Sequence, residues 1–255
     1  MHDMRNNPTS AVIVIGNEIL SGRTQDVNIQ FLARRLGDMG LPLREVRVIP
    51  DIFDTIVNTV NDVRARFDLV FTTGGIGPTH DDITSEAVAA AFGVPWEPHP
   101  EAWARLLHLL GEEKFNKARQ RMATMPRGAR LIENAISVAP GFAIGNVHVM
   151  AGVPRIMQSM FDHLAPSLPS GRPIFSRAVH AAGAMEGNIA EGLEAIQQRF
   201  PELDLGSYPY YRAGGTGVTL VAKGTDHERL DAALAEMTAL FDSFGYEAVA
   251  GEPGH

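Results

Sequence analysis

Apolar and polar positions alternate in two rhythms along the first two thirds of the chain. Ala11-Val12-Ile13-Val14-Ile15 is apolar at every position, the pattern of a strand buried on both faces, as in parallel sheets covered by helices. Behind Asp26, a capping residue, Ile29, Leu32, Leu36 and Met39 recur at helical spacing until Gly40 stops them. Leu41 to Ile49 reads as a second strand closed by Pro50-Asp51. Ile56, Val60, Val63 and Phe67 mark a second helix, Leu69-Val70-Phe71-Thr72 a third strand, and a third helix is predicted from near Asp82. Strands alternating with helices in this way predict βαβ units with right-handed crossovers. The expected fold is therefore a three-layer α/β/α domain on a mostly parallel sheet.

Between Gly93 and Arg127 the pattern becomes helical and more polar, with Pro100 opening one helix and Lys114 to Met122 suggesting another. Two short apolar runs around Gly145-Asn146 predict a hairpin. Pro154 opens a helix through Met157, Met160, Phe161 and Leu164. Pro166, Pro169, Gly171 and Pro173 then break the pattern, and the expected domains are 1–168 and 169–255. The second reads strand, helix, strand, strand, helix, a small α+β domain in which Tyr208, Tyr210 and Tyr211 are expected to pack on the sheet.

Twenty-two Lys and Arg against 30 Asp and Glu leave a formal net charge of −8. Such a surface repels phosphate backbones, so nucleic acid is not an expected partner. The chain has no cysteine, which excludes disulfides, thiolate catalysis and cysteine-ligated metals. No apolar run is long enough for a membrane span, and the N-terminal residues lack the layout of a signal peptide. A cytoplasmic protein is expected.

The richest motif is Thr72-Thr73-Gly74-Gly75-Ile76-Gly77-Pro78-Thr79-His80-Asp81-Asp82-Ile83-Thr84. It follows a buried strand and precedes a helix, where open α/β sheets bind ligands. Glycines there let backbone amides approach an anion, usually phosphate. The spacing is neither a Walker A loop nor a dinucleotide fingerprint, and a tight turn with Asp82 as helix cap is the plain structural alternative. Two adjacent carboxylates beside a phosphate site call for a divalent cation. Glu18 and Asp51, each just after a strand, join Asp82 at one sheet edge if the strands are parallel neighbours. Met150-Ala151-Gly152-Val153-Pro154 repeats the strand–glycine–helix logic. Pro140-Gly141 reads as a turn. Lys117, Arg119, Arg121 and Arg127 form a basic concentration that is either a solvated face or a cover for a polyanion. His80 is the one histidine near the loop, and the nine histidines show no zinc spacing.

These residues resemble the MoaB/Mog molybdopterin-binding domain, and most of all its CinA-type members, which include the N-terminal domain of eukaryotic FAD synthases. Gly16-Asn17-Glu18-Ile19-Leu20-Ser21-Gly22, Ile49-Pro50-Asp51, Ala139-Pro140-Gly141-Phe142, Met150-Ala151-Gly152-Val153-Pro154 and Gly206-Ser207-Tyr208-Pro209 match in the same order. The resemblance implies a MogA-like fold, a homo-oligomer (dimer or trimer) and a pterin or nucleotide ligand carrying phosphate. It implies Asp51 and Asp82 as functional acids and Thr73, Gly74, Gly75, Ile76, Gly77, Pro78, Thr79, Gly152 and Pro154 as ligand-binding residues. Glu18, Asp81 and Asp82 are the expected ligands of a divalent metal, Mg²⁺, Mn²⁺ or Co²⁺. The implied activity is cleavage of a dinucleotide such as ADP-ribose or FAD at its pyrophosphate. The alternatives are a non-catalytic pterin or nucleotide module and a molybdopterin adenylyltransferase-like enzyme. Asn17 and Arg155-Ile156 depart from the pattern, standing where many CinA-type members carry acids.

Overall fold

In the computed structural model, which describes residues 7–212 and 215–253, the unbroken apolar run becomes β1 (Ser10–Ile15), buried at all positions. The chain continues through α1 (Asn17–Leu20), α2 (Asn28–Asp38), β2 (Leu43–Ile49), α3 (Phe53–Arg66), β3 (Leu69–Thr73), α4 (Thr84–Phe92) and β4 (Trp96–Pro98). It then forms α5 (Pro100–Leu110), α6 (Lys117–Arg121), β5 (Thr124–Pro126), β6 (Arg130–Ile132), β7 (Gly141–Ile144), β8 (Val147–Met150) and α7 (Pro154–Leu164). Six strands make one sheet in the order β2-β1-β3-β8-β7-β6. β1 pairs in parallel with β2 and β3, and β3 with β8, while β8, β7 and β6 pair antiparallel.

Side chains alternate across a strand, so β1 feeds two cores. Ala11, Ile13 and Ile15 pack with Ile56, Val60 and Val63 of α3 and Val88 of α4. On the other face Phe71 of β3 stacks on His148 of β8 and meets Phe161 of α7, with ring centroids 5.9 Å apart for the phenylalanine pair. Burial of this kind contributes about 1.5–3 kcal/mol per large side chain. The α/β/α layering read from the sequence is the layering found.

Several boundaries move. The second strand begins at Leu43, two residues after the start of its apolar run, and α2 ends before Met39. α4 starts at Thr84, with Ile83 as its cap residue, so Asp82 is not the N-cap. The short elements α1, β4, β5 and β6 have too few residues to establish a period, and the sequence pattern does not mark them.

The remaining elements are β9 (Phe175–Ala182), α8 (Glu186–Arg199), β10 (Asp204–Arg212), β11 (Gly215–Gly224), α9 (His227–Ser243) and β12 (Ala248–Ala250), the last also unpredicted. Their strands form an antiparallel sheet in the order β10-β11-β9-β12. Ile189 and Ile196 of α8 and Leu230, Met237 and Phe241 of α9 pack on Val179 and Leu220. Tyr208 and Tyr211 are not packed as expected: they are 51% and 82% exposed. β10 is an edge strand; Tyr208 lies on the face opposite Leu205, which packs with the helices, and Tyr211 lies on the helix-bearing face near the strand's end. By internal contacts the chain falls into two units, Pro8–Gly37 with Leu41–Gly171, and Asp38–Gly40 with the chain from Arg172 onward.

Candidate functional site

Parallel pairing sets the carboxyl ends of β1, β2 and β3 side by side, Ile15 opposite Ile49 and Val14 opposite Thr73. The segments after these strands carry Glu18 (in α1), Asp51 and the glycine loop. The second loop joins them because the Gly74 amide donates to the Met150 carbonyl at 3.1 Å. Gly152 is so close that an added Cβ would lie 3.2 Å from the Gly74 Cα.

Backbone conformation accounts for two of the glycines. Gly74 and Gly75 have φ of 103° and 69°, the region that L side chains avoid. A Cβ at Gly74 would overlap the Ile15 carbonyl, and one at Gly75 would overlap the Thr84 hydroxyl. Beyond Gly74 the amides of Gly75, Ile76 and Gly77 donate to no acceptor among the described residues. Together with Pro78 they line a cleft of about 510 Å³ whose walls include Glu18, Thr24, Asp82, Met122, Gly152, Val153 and Pro154. Exposed amides beside a cavity of this size are the ordinary setting of an anion site.

Thr79 organises the acids behind the loop. Its amide donates to Asp82 Oδ2 at 2.7 Å, and its hydroxyl lies 2.5 Å from both Asp81 Oδ1 and Asp82 Oδ2. That hydroxyl holds the Asp81 carboxyl below the usual carboxylate range. Asp51 accepts the Asn17 amide at 2.8 Å. Even so, burial first and then the charges of Glu18 and Asp81 hold the Asp51 carboxyl above its ordinary value. The three carboxylates follow the carboxyl ends of neighbouring parallel strands, although Asp51 and Asp81 are not among the residues lining the cleft. Among the described residues no three acids or histidines gather into a cluster able to hold a metal by themselves. A hard cation here would use one or two carboxylates and take its other oxygens from ligand and water, as Mg²⁺ commonly does.

Residues 11–170 match a family model described as a probable molybdopterin binding domain, and residues 173–248 one described as the middle domain of FAD synthase. A protein of Archaeoglobus fulgidus is 30% identical over 91% of this chain and 97% of its own. A CinA-like protein of Synechococcus is 31% identical over 89% of this chain and 56% of its own. The chain belongs to the CinA-type molybdopterin-binding family. The crystal structure of a CinA protein of unknown function from Thermoplasma acidophilum superposes with a TM-score of 0.60 at 33% identity, covering 64% of this chain and 98% of that one.

In this family member the acids and glycines singled out in the sequence do meet at one sheet edge. Of the two readings of the basic concentration, a cover over the loop does not form as a group. Arg127 makes a two-pronged pair with Glu97, and Arg119 donates to the Lys114 carbonyl. Only Arg121 reaches the loop, donating to the Asp82 carbonyl at 3.0 Å with its guanidinium over the Trp96 ring. His80 is 98% exposed, 4.0 Å from Asp81. Gly141 opens β7, where a Cβ would press on the Val149 carbonyl, so Pro140-Gly141 is structural.

One residue of the site is not evident from the sequence motifs. Asn28 is 3% exposed and its Nδ2 donates to the Gly152 carbonyl at 2.8 Å, tying α2 to the second loop. It occupies the buried stripe of α2 with Leu32 and Leu36. A polar residue in register with the leucines of an apolar stripe is the signal that marks it. Among the described residues no helix is long and apolar enough to cross a membrane.

Proposed function

We propose that this protein is a divalent-metal-dependent pyrophosphatase acting on a dinucleotide such as ADP-ribose or FAD and releasing AMP. The observation that carries the reading is the row of unengaged amides from Gly75 to Gly77, on residues that line the same cleft as Asp82 and Glu18. Those amides grip one phosphate of the bridge, with Gly152 and Pro154 bounding its far side. Asp82, with Asp81 or Glu18, would hold Mg²⁺, Mn²⁺ or Co²⁺, which would supply charge neutralisation for the leaving phosphate and a more acidic water. Asp51 has one oxygen engaged by Asn17 and a proton affinity raised above that of an ordinary carboxylate. It orients the attacking water and takes its proton. The protein works as a homo-oligomer, a dimer or trimer, as the family resemblance implies.

The shortage of clustered acids favours a second reading. Asn17 and Arg155-Ile156 stand where carboxylates would add metal ligands, and no three-acid cluster forms among the described residues. A module that binds a pterin or nucleotide without turnover needs only the amides. A molybdopterin adenylyltransferase-like enzyme would use the same parts in transfer. Incubation with FAD, ADP-ribose or ATP plus each metal, with AMP as readout, separates the three. Metal-dependent AMP from a dinucleotide, lost in Asp82→Ala, supports the pyrophosphatase. Micromolar binding without turnover supports the module, and adenylate transfer from ATP to a pterin acceptor supports the third reading.

A further inference from the structure

The one matched motif that the cleft leaves unused, Gly206-Ser207-Tyr208-Pro209, lies on β10 at the edge of the small sheet. Val218, Leu220 and Ala222 of β11 pack with the helices, so Thr219, Val221 and Lys223 belong to the opposite face. Register sets Tyr208 across from Thr219 and Tyr210 across from Gly217 on that face. It carries a pocket of about 380 Å³, a size that takes a small ligand. Tyr208, Tyr210, Arg212, Lys223 and Glu252 are among its walls.

Two glycines keep the tyrosines low. A Cβ on Gly206 would stand 3.0 Å from the Tyr208 hydroxyl oxygen and 3.1 Å from its ring, and one on Gly217 would overlap the Tyr210 hydroxyl. Bare backbone there lets both rings lie along the sheet. The chain beyond β12 supplies the remaining wall. His180 Nδ1 donates to the Gly251 carbonyl at 2.9 Å, and Arg212 Nη1 to the Pro253 carbonyl at 2.8 Å.

The chemistry of these walls defines the occupant. Tyrosine rings offer flat apolar faces with polar tips, which suit a planar ring. Lys223 forms no ion pair among the described residues, although Asp204 stands opposite it in register. The Arg212 guanidinium lies 5.7 Å from the Tyr210 ring centroid. Two cations against the single acid Glu252 make the pocket positive in a chain of net charge −8, which selects an anionic group. A peptide strand added along β10 is disfavoured. The Leu205 amide is taken by Gln197 Oε1 at 3.0 Å and Pro209 has no amide, so the edge offers an incomplete ladder.

We propose that the pocket of Tyr208 and Lys223 is a second ligand site, which takes a planar ring system carrying an anionic group. It lies wholly within the residues from Arg172 onward and requires no hydrolysis in the glycine-loop cleft.

Flavin mononucleotide is a suitable probe, because it joins such a ring to a phosphate and stacking on tyrosine quenches its fluorescence. Riboflavin is the same ring without the anion. Titrated into the full chain, flavin mononucleotide is expected to be quenched saturably and to bind about fivefold more tightly than riboflavin, the upper range of one exposed ion pair. Tyr208→Ala is expected to weaken it about tenfold, as loss of a stacking surface does, and Tyr208→Phe to retain it. Lys223→Gln is expected to bring the two flavins within about twofold. Both side chains are exposed, and thermal melting checks that the variants fold. Gly75→Val, which disturbs only the other cleft, is expected to leave these responses unchanged. Absence of quenching overturns the proposal, as does quenching that survives both Tyr208→Ala and Lys223→Gln or is abolished by Gly75→Val. A dimer that Tyr208→Ala dissociates in gel filtration also overturns it, making the face a subunit contact. If the flavin binds as expected yet no dinucleotide is cleaved, the pyrophosphatase reading fails and the second site stands. If a dinucleotide is cleaved without this binding, hydrolysis stands and the second site fails.

Discussion

Gly75 and Gly93 isolate the two penalties that a side chain meets in left-handed backbone. Both have φ near 65–69°, but a Cβ at Gly93 meets nothing within 4 Å, whereas one at Gly75 overlaps Thr84. Gly93→Ala is expected to cost about 1–2 kcal/mol from conformation alone. Gly75→Val is expected to cost more and to lower affinity for AMP at least tenfold, because the amides on either side must shift. Denaturant unfolding and titration of the two variants check the contrast, and unchanged AMP affinity in Gly75→Val would reduce the loop to a structural turn. Asp51 makes a pH prediction of the same kind. Its carboxyl is raised in the fold, mainly by burial, so the folded state binds more protons than the unfolded one above the ordinary carboxylate range. Stability then falls as pH rises through that window. Asp51→Asn should therefore melt higher than the parent near pH 7, with the gap closing in acid, while losing activity. A melting series from pH 4 to 8 reads the sign directly.

His148 shows what an element does to a residue placed in its middle. β8 is buried along its length, and both ring nitrogens of His148 lack partners among the described residues. Burial first and Arg130 second push its pKa down to about 4. An unfolded histidine takes its proton near pH 6.5, so the folded state loses about 3 kcal/mol of stability between there and pH 4. His148→Leu is expected to flatten this acid limb in denaturant titrations. A steep limb that persists would move the cause to the carboxylates. The ion pairs joining β2 to α3, Glu45 with Arg66 and Arg47 with Asp62, and the Glu45–Arg47 pair within β2 lie at the surface. Glu45→Gln should change unfolding free energy by less than about 1 kcal/mol. Ile13→Ala, at the centre of β1 and fully buried, should cost about 2–5 kcal/mol. The same comparison explains which elements were legible. β1 and α3 carry long, consistent patterns; α1, β4 and β12 are short, and β4 and β12 are held by pairing with β5 and β9, which no local pattern announces.

At the scale of the molecule, every residue proposed for the glycine-loop cleft, its metal or catalysis belongs to the unit of Pro8–Gly37 and Leu41–Gly171. A chain ended at Gly171 is expected to melt cooperatively and to keep its affinity for AMP. Loss of binding with folding intact would assign part of the site to the residues that follow. Local chemistry was enough to mark the glycine loop, the paired aspartates and the layered fold, because strand and helix periods, turn glycines and adjacent acids are properties of neighbouring residues. Their meeting was a conditional inference, true only if three strands lay parallel and adjacent, and the order β2-β1-β3-β8 supplies that condition. Tertiary structure alone decided the rest: Asp82 bonds back to Thr79 instead of capping α4, Asp51 holds its proton more tightly, and Tyr208 and Lys223 wall a second pocket. Each of these depends on burial and on charges brought from distant parts of the chain, and both quantities exist only once the layers have closed.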